Sequence, residues 1–524
     1  MKKIHLASLI LLFSIIGITS EVNAQFNDSY DNLRYRKWRI TLAPPVGSNG
    51  IAANKYTAKY SLNLLVGYNG GLDGAEIGGL FNYNKEYSHG FQIAGLVNST
   101  GGEMFGANIA GLVNYAKQDM AGIQVAGLVN ASGSAMSGLQ FAGVSNYAKQ
   151  DVSGIQFAGF GNFSRQDISG LQFSGIVNAS DGDMSGIQLA GVANVTNDNL
   201  EGIQAATVLN FSRKDLSGIQ FTTGINVALG DVEGLQMAGI LSYAGSDISG
   251  LQIAGISTIS RQNTEGLVIS GALNYAQENA SGLFTSGGFN IAKNLEGVMF
   301  SGIGNVANDM SGVQFSGIFN IAETVEGVQV GLFNFAKEFQ GLPVGFISLY
   351  GNGRKNLDFR YSDAGFSEYT LTTGTHRVYN MAIFGYNTLL DRNVYRIGMG
   401  IGLEKNILDS FPRIKDESMF VNQEFSVVHN FEEKWTRKTN LIFSYKFLVG
   451  KRLSNGLSIY GGPSYNVQVT RVPTANDYTW YSLWSPEWKG RTYRFWVGFT
   501  AGIRLFKQKQ LPTFNGDWDY ENEW

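Results

Sequence analysis

A sixteen-residue repeat constrains this chain more than any other feature of its sequence. The phrase Gly-[Ile/Leu/Val]-Gln-x-Ala-Gly-[Ile/Leu/Val]-x-Asn recurs, followed by about seven mostly polar residues. Glycine occupies every sixteenth position from Gly74 to Gly282, and asparagine stands eight residues later in twelve of these fourteen repeats. The spacing then shortens by one residue as far as Gly327 and by two to Gly341. A fixed period of this length predicts one structural unit repeated along the chain.

The two fixed positions of the repeat are the candidate structural residues. They recur most clearly at Gly122, Asn130, Gly138, Asn146, Gly154, Asn162, Gly170, Asn178, Gly186 and Asn194. Because stacked asparagines form amide ladders in cross-β assemblies, the asparagine position predicts such a ladder. The Ala-Gly pair of each repeat, as at Ala126-Gly127, predicts a tight corner at which glycine adopts a positive φ.

Two architectures are compatible with this period. In a β-solenoid each repeat is one coil that buries its apolar side against its neighbours. In a transmembrane meander each repeat is one strand and one turn, and turn lengths and interfacial aromatic residues follow a regular pattern. The repeats show no such alternation of turn length, contain no Trp, and carry a glycine in the middle of every predicted strand. We therefore predict an all-β fold with a β-solenoid of about 18 coils.

The pattern changes after residue 350, where alternation with a period of two replaces the repeat. From Tyr493 to Leu505, for example, apolar residues alternate with Arg494, Gly498 and Arg504. About seven such strands fit between Tyr369 and Phe506. Strands that are apolar on one side and polar on the other are typical of an outer-membrane barrel, so we predict an antiparallel barrel-like β-domain. A soluble antiparallel sandwich shows the same alternation and stays open as the alternative.

The N-terminus has the pattern of a secretory signal peptide. Lys2 and Lys3 precede an apolar run over residues 6–18, and a small-residue site ends at Ala24. The predicted segments are a signal peptide (1–24), N-terminal strands or a cap that could pair with the C-terminal domain (25–73), the repeat β-solenoid (74–350), the antiparallel barrel-like domain (351–510) and a polar, acidic tail (511–524).

Composition and the scatter of titratable residues argue against an enzyme. The chain has no Cys, which excludes disulfides and thiolate-bound metals. Its net charge of −3 gives no basic surface for nucleic acid. His89, His376 and His429 are widely separated, and no nucleophile elbow or phosphate-binding loop occurs. We therefore predict no catalytic residues, no cofactor and no metal site.

Two further columns run through the repeats. An acidic column precedes an apolar residue in each copy and predicts a solvated turn, because stacked like charges are poor acid–base geometry. A glutamine column is expected to be exposed, either as a structural amide ladder or as a flat array that meets a glycan or protein. The acidic column comprises Asp119, Asp151, Asp167, Asp183, Asp215, Asp231 and Asp247. The glutamine column comprises Gln92, Gln124, Gln140, Gln156, Gln172, Gln188, Gln204, Gln220, Gln236 and Gln252.

The repeat phrases resemble a family of bacterial surface repeat-containing proteins. The resemblance rests on GLQFSGIVN (170–178), GVQVGLFNFAKEFQGLPVGFISL (327–349) and the lead-in SLNLLVGYNGGLDGAEIGGLFN (61–82). It covers roughly residues 60–350, and the C-terminal region more weakly. It implies export and display at the cell envelope, with no catalytic residues.

These patterns together predict a non-enzymatic protein of the outer membrane or cell surface with a structural, display or adhesion role. Its predicted partners are outer-membrane lipid and, beyond that, a surface glycan or protein. Two alternatives remain open. The first is a porin-like transport barrel in which the repeats are transmembrane strands, and the second is a periplasmic scaffold.

Overall fold

The computed structural model describes residues 32–407, 411, 416 and 418–507. The predicted signal peptide (1–24) and the acidic tail (511–524) lie outside the described residues. Contacts divide the chain into two units, Met1–Ala179 and Ser180–Trp524, and each is described by itself. Strands account for 71% of the described residues and helix for 3%, which confirms the all-β prediction.

In the first unit, each coil from Val97 onwards is made of a four-residue strand and a seven-residue strand. Equivalent strands pair in parallel and in register, so that Gly138 lies beside Gly154 and Asn146 beside Asn162. A 3₁₀ helix, Gly50–Lys55, precedes β3. The strands up to the unit boundary are β1 (Arg34–Ala43), β2 (Val46–Gly47), β3 (Tyr56–Asn63), β4 (Val66–Gly78), β5 (Phe81–Ala94), β6 (Val97–Thr100), β7 (Met104–Ala110), β8 (Val113–Ala116), β9 (Met120–Ala126), β10 (Val129–Ser132), β11 (Met136–Ala142), β12 (Ser145–Ala148), β13 (Val152–Ala158), β14 (Gly161–Ser164), β15 (Ile168–Ser174) and β16 (Val177–Ser180).

The second unit begins with coils of the same kind, and its strands also pair in parallel, as Gly202 does with Gly218. These strands are β17 (Met184–Ala190), β18 (Ala193–Thr196), β19 (Leu200–Ala206), β20 (Leu209–Ser212), β21 (Leu216–Thr222), β22 (Ile225–Ala228), β23 (Val232–Ala238), β24 (Leu241–Ala244), β25 (Ile248–Ala254), β26 (Ser257–Ser260), β27 (Thr264–Ser270), β28 (Leu273–Ser286), β29 (Phe289–Ser301), β30 (Gly304–Val306), β31 (Asp309–Ser316), β32 (Phe319–Ile321), β33 (Thr324–Val330), β34 (Phe333–Ala336), β35 (Glu338–Val344) and β36 (Ile347–Tyr350). The solenoid has about 18 turns. A meander would pair neighbouring repeats antiparallel, so the parallel pairing confirms the solenoid and overturns the meander.

The interior of the coils combines apolar side chains with buried amides. In the coil of β11, Met136, Gln140 and Ala142 are buried, whereas Phe141 is 40% exposed. From the sequence, each coil is expected to bury its apolar side and expose the glutamine. Apolar residues such as Met136 are buried, but the expected exposure of the glutamine is wrong, because its amide hydrogen bonds to a neighbouring coil and can therefore be buried.

The two glycines of each repeat have different tasks. The first lies inside the long strand with a positive φ, for example +92° at Gly138 and +138° at Gly218. The second, as at Gly127, begins the corner, and a Cβ there would lie 2.0 Å from the carbonyl oxygen of Gly111 in the preceding coil. The predicted corner is present, but the positive φ expected there belongs to the other glycine. The corner glycine is needed for close stacking of the backbone.

The rest of the second unit is a separate antiparallel sheet of nine strands. Each strand pairs with its sequence neighbour, and pairing of the first strand with the last, as at Asp358 beside Arg504, closes an eight-stranded barrel. A short strand extends the last hairpin, and a second 3₁₀ helix spans Pro473–Asp477. The strands are β37 (Arg354–Ser362), β38 (Phe366–Gly374), β39 (Val378–Asn387), β40 (Val394–Asn406), β41 (Met419–Glu432), β42 (Asn440–Ser454), β43 (Leu457–Thr470), β44 (Glu487–Trp488) and β45 (Arg491–Leu505).

The N-terminal strands belong to the start of the solenoid. Strand β1 pairs in parallel with β3, and β3 pairs with β4. From the sequence, these strands could also pair with the C-terminal domain. The structure instead closes the barrel through its own strands β37 and β45. Within the described part of the chain, no helix is both long and apolar enough to cross a membrane.

Candidate functional site

Two amide ladders occupy the solenoid interior. In the asparagine ladder, each side chain donates to the next coil along the sequence, as Asn130 Nδ2 does to Asn146 Oδ1 at 2.9 Å. The same nitrogen also donates to the carbonyl oxygen of Phe141 at 3.0 Å. In the glutamine ladder the direction is reversed, and Gln236 Nε2 donates to Gln220 Oε1 at 2.9 Å. These bonds pair amides that would be costly to bury alone. The glutamine row is interrupted at Gln156, whose Nε2 donates to Met136 Sδ at 3.1 Å instead of to Gln140.

The residues singled out from the sequence all belong to this scaffold. Gly122, Gly138, Gly154 and Gly170 of the first unit and Gly186 of the second have a positive φ inside their strands. Asn130, Asn146, Asn162, Asn178 and Asn194 are fully buried. The glutamine column is buried as well, so the expectation that it is exposed is wrong, and it cannot present an array of amides to a glycan or protein.

The acidic column lies in the exposed turns, where its carboxylates link successive coils. Its carboxylates accept backbone N–H groups from the next coil, as Asp231 Oδ1 does from the amide of Asp247 at 3.1 Å. A related turn carboxylate, Asp198, accepts a hydrogen bond from Lys214 at 2.6 Å, and this bond holds the pKa of Asp198 below its ordinary value. The column therefore serves the turns, as predicted, through bonds that join successive coils.

One carboxylate stands at the start of the glutamine ladder in the first unit. Glu76 is fully buried in β4, and four amides surround it. Asn63 and Asn69 donate to Oε1 at 2.7 and 2.6 Å, and Asn84 and Gln92 donate to Oε2, both at 2.8 Å. Four donors satisfy both oxygens of a carboxylate, which accepts hydrogen bonds only. This arrangement gives the side-chain nitrogen of Gln92 a charged acceptor in place of another glutamine.

We expect the substitution Glu76→Gln to destabilise the first unit although it keeps the shape of the side chain. The new amide nitrogen would face N–H donors in place of an acceptor, and each hydrogen bond to a charged group contributes about 1.5–3 kcal/mol. Urea unfolding followed by hydrogen exchange of β4 and β5 measures the loss. The control is Glu86→Gln, because Glu86 is an exposed residue paired with Lys85. Equal stability of the two variants would contradict the prediction.

The barrel interior is built from buried ion pairs. Asp358 on β37 accepts two hydrogen bonds from Arg504 on β45, both at 3.0 Å. It also accepts one from Arg360 at 2.9 Å and one from the Tyr460 hydroxyl at 2.8 Å. The other close ion pairs inside the barrel are Arg360–Glu424 (2.6 Å), Arg354–Glu404, Arg452–Glu404 (2.6 Å), Arg504–Glu404 (2.7 Å) and Arg396–Glu368 (2.6 Å).

These side chains fill the barrel. The charged groups in these clusters are six basic residues, counting Lys446, against four acidic ones, which leaves an excess of two positive charges. The cavity beside Glu368, Arg396 and Trp496 has a volume of about 20 Å³, space for about one water molecule. An eight-stranded barrel is just wide enough for its side chains to fill it.

The outer wall of the barrel is apolar. Its exposed large side chains are mostly aromatic, and Phe425 at the middle of β41 is 50% exposed. The exposed lysines of the barrel strands, Lys355, Lys405 and Lys451, lie towards the ends of their strands. The outward residues are Tyr361, Tyr369, Phe384, Tyr386, Tyr395, Met399, Phe425, Tyr445, Ile459, Tyr465, Val497, Phe499 and Ile503.

The amide columns and Arg504 were singled out from the sequence, but the buried carboxylates of the barrel and Glu76 of the solenoid were not. Alternation was noticed in the later barrel strands, but β37, which carries Asp358 and Arg360, was not counted. The signal was present, because inward residues recur every second position from Arg354 to Arg360. Among the described residues, no three His, Asp or Glu are grouped so as to hold a metal ion.

No protein-family model, no curated protein and no solved structure matches this chain. The resemblance to bacterial surface repeat-containing proteins therefore stays a prediction.

Proposed function

We propose that this chain is a non-enzymatic envelope protein whose barrel anchors the solenoid in the outer membrane. One observation carries the proposal: the barrel has charged residues inside and apolar residues outside. In a soluble antiparallel sandwich the apolar faces would pack against each other. In a membrane barrel the outward band meets lipid, and polar groups are kept inside.

The filled interior supports an anchor more than a pore. The ion pairs of Asp358, Glu404 and Glu424 cross the barrel from strand to strand, and a solute would have to displace them. The porin-like alternative also needs the repeats as membrane strands, whereas they pair as coils of a solenoid. The proposal therefore gives the barrel an attachment role and the solenoid a structural, display or adhesion role. The predicted signal peptide fits export, and a periplasmic scaffold is the alternative that remains.

A charge on the outer wall tests this function. We expect Phe425→Arg to prevent stable insertion of the full chain, because an arginine on the lipid face of a barrel costs about 2–4 kcal/mol at the bilayer midplane. The measurements are the amount of protein in the outer-membrane fraction and the difference in gel mobility between unheated and heated samples. Asn455→Arg is the control, since Asn455 is exposed in the turn between β42 and β43. Recovery of the unsubstituted chain as soluble protein, without heat-modifiable mobility, would favour the periplasmic scaffold.

A further inference from the structure

The solenoid coils of the second unit also carry an apolar outer surface. The residue after each corner glycine, or after Thr207 and Thr223 in its place, forms a column along this surface, which we call the corner column. Small residues stand in this column at Gly224, Ala272 and Gly288. Its large members are 37–53% exposed, which is unusual for aliphatic side chains repeated along a single line. They are Val192, Val208, Ile240, Ile256, Ile303, Ile318 and Leu332, and Phe346 completes the column.

Neighbouring outward positions extend this apolar surface on both sides of the corner. Phe221 in β21 and Phe300 in β29 are 50% and 42% exposed. Tyr275 in β28 and Ile321 in β32 are 37% and 40% exposed. The opposite side of each coil is polar, as at Arg261-Gln262-Asn263. The coils are therefore amphipathic. Soluble monomers rarely expose an apolar surface this extended, so the corner column needs something to cover it.

The corner backbone is suited to a medium without water. The amides of Gly255, Ile256 and Ser257 donate to carbonyl oxygens of the preceding coil at 3.0, 3.2 and 3.0 Å. Hydrocarbon offers no partners to backbone groups, so only structures that pair them internally tolerate it. Stacked coils meet this requirement at a corner, where an isolated turn would leave its amides unpaired.

The column is continuous with the outer wall of the barrel. The amide of Ser348 donates to Thr373 Oγ1 at 2.9 Å, and Asn380 Nδ2 donates to Ser348 Oγ at 2.8 Å, so the last coil packs on β38 and β39. Phe346, the last member of the corner column, meets Phe384 on the barrel wall edge-on, with ring centroids 6.5 Å apart. Whatever apolar medium surrounds Phe384 therefore also reaches the corner column.

We infer that the corner column of the second unit faces the lipid hydrocarbon that surrounds the barrel, while the polar turns face water. The inference rests on the proposed function, because lipid must first surround the barrel. The solenoid is then a membrane-associated surface in its own right. Any display or adhesion role belongs to its polar side, and the apolar side is not free to bind a soluble ligand.

The chain contains no cysteine, so single cysteines can report the surroundings of chosen positions. A fluorescent bimane would be attached in the full chain at Ile256→Cys on the corner column, at Gln262→Cys on the polar turn of the same coil, and at Phe425→Cys on the barrel wall. The protein would be reconstituted in vesicles of phosphatidylethanolamine and phosphatidylglycerol. Quenching by doxyl-labelled lipid chains reports hydrocarbon, and quenching by iodide reports water.

The expected result is that the labels of Ile256→Cys and Phe425→Cys are quenched by doxyl lipid and not by iodide, and the label of Gln262→Cys shows the opposite. Doxyl quenching at Phe425→Cys together with iodide quenching at Ile256→Cys would overturn the inference and leave the anchor intact. Iodide quenching at both positions would overturn the proposed function itself. Protection of Ile256→Cys from both quenchers would indicate a second protein surface, and it too would overturn the inference. Ile240→Cys repeats the measurement if the first variant does not fold.

Discussion

Replacing Asp358 with alanine is expected to destabilise the barrel by about 3–5 kcal/mol, the usual consequence of removing one partner from a buried ion pair. Asp358 is fully buried, and both Arg504 and Arg360 donate to it. Without the carboxylate these guanidinium groups keep their charge, because arginine does not lose its proton in proteins. The interior already has an excess of basic groups, so no spare carboxylate is at hand to pair with them.

The measurement is urea unfolding of the full chain in detergent micelles, followed by the fraction of heat-modifiable protein on gels. The matched control is Glu323→Ala, which breaks the exposed pair with Lys337 at 2.6 Å and should cost at most about 1 kcal/mol. Asp358→Asn serves as a second variant of nearly the same shape, and it should fall between the wild type and Asp358→Ala. If Asp358→Ala unfolds at the same urea concentration as Glu323→Ala, the ion pairs do not stabilise the barrel.

The second large effect is expected for Gly218→Ala in the solenoid. Gly218 has a φ of +138°, and an added Cβ would lie 2.1 Å from the carbonyl oxygen of Gly202 in the preceding coil. Backbone strain of this kind costs about 1–3 kcal/mol alone. Relieving the contact adds to this cost, because the two coils must move apart and stretch the ladder bond between Gln204 and Gln220. We expect the total to exceed the strain alone.

Hydrogen exchange of the amides in β19 and β21 measures this effect locally, and far-UV circular dichroism during urea unfolding measures it for the whole chain. The control is Gly456→Ala, since no atom lies within 4 Å of the added methyl group and the φ of Gly456 is not positive. That variant should be neutral or more stable by about 0.4–1 kcal/mol through the unfolded state. Unchanged exchange in Gly218→Ala would mean that the stack tolerates a side chain at this position.

The solenoid could be predicted from the sequence because stacked coils require a constant spacing between equivalent residues, which single strands do not. Gly138 and Gly154 must lie side by side, so an insertion between them would break every ladder at once, and the period of sixteen residues holds from Gly74 to Gly282. The constant spacing of the asparagines predicted their ladder in the same way. The start of the barrel near residue 351 was visible because the repeat ends and the alternation begins.

The burial of the glutamines and the exposure of the neighbouring large apolar residues could not be predicted from the repeat. A period of two separates Gln140 from Phe141 but does not say which of them is inside. The usual preference for apolar interiors predicts that Phe141 is buried. The prediction fails because Gln140 can be buried, since it donates a hydrogen bond to Gln124 in the preceding coil. The four amides that donate to Glu76 and the ion pair of Asp358 with Arg504 were not predicted for a related reason. Their partners are brought together by the fold, and Asp358 and Arg504 are 146 residues apart in the chain.

The opposite directions of the two amide ladders have an electrostatic consequence. Each ladder is a row of aligned dipoles, comparable to the aligned peptide units that give an α-helix its macrodipole. The asparagine row points its N–H groups towards higher residue numbers, and the glutamine row points them towards lower ones. The two fields therefore oppose each other along each stack, and adding coils builds up little net dipole. Glu76 meets the N–H end of the Gln92 amide, as an acidic residue meets the N–H groups at the start of a helix.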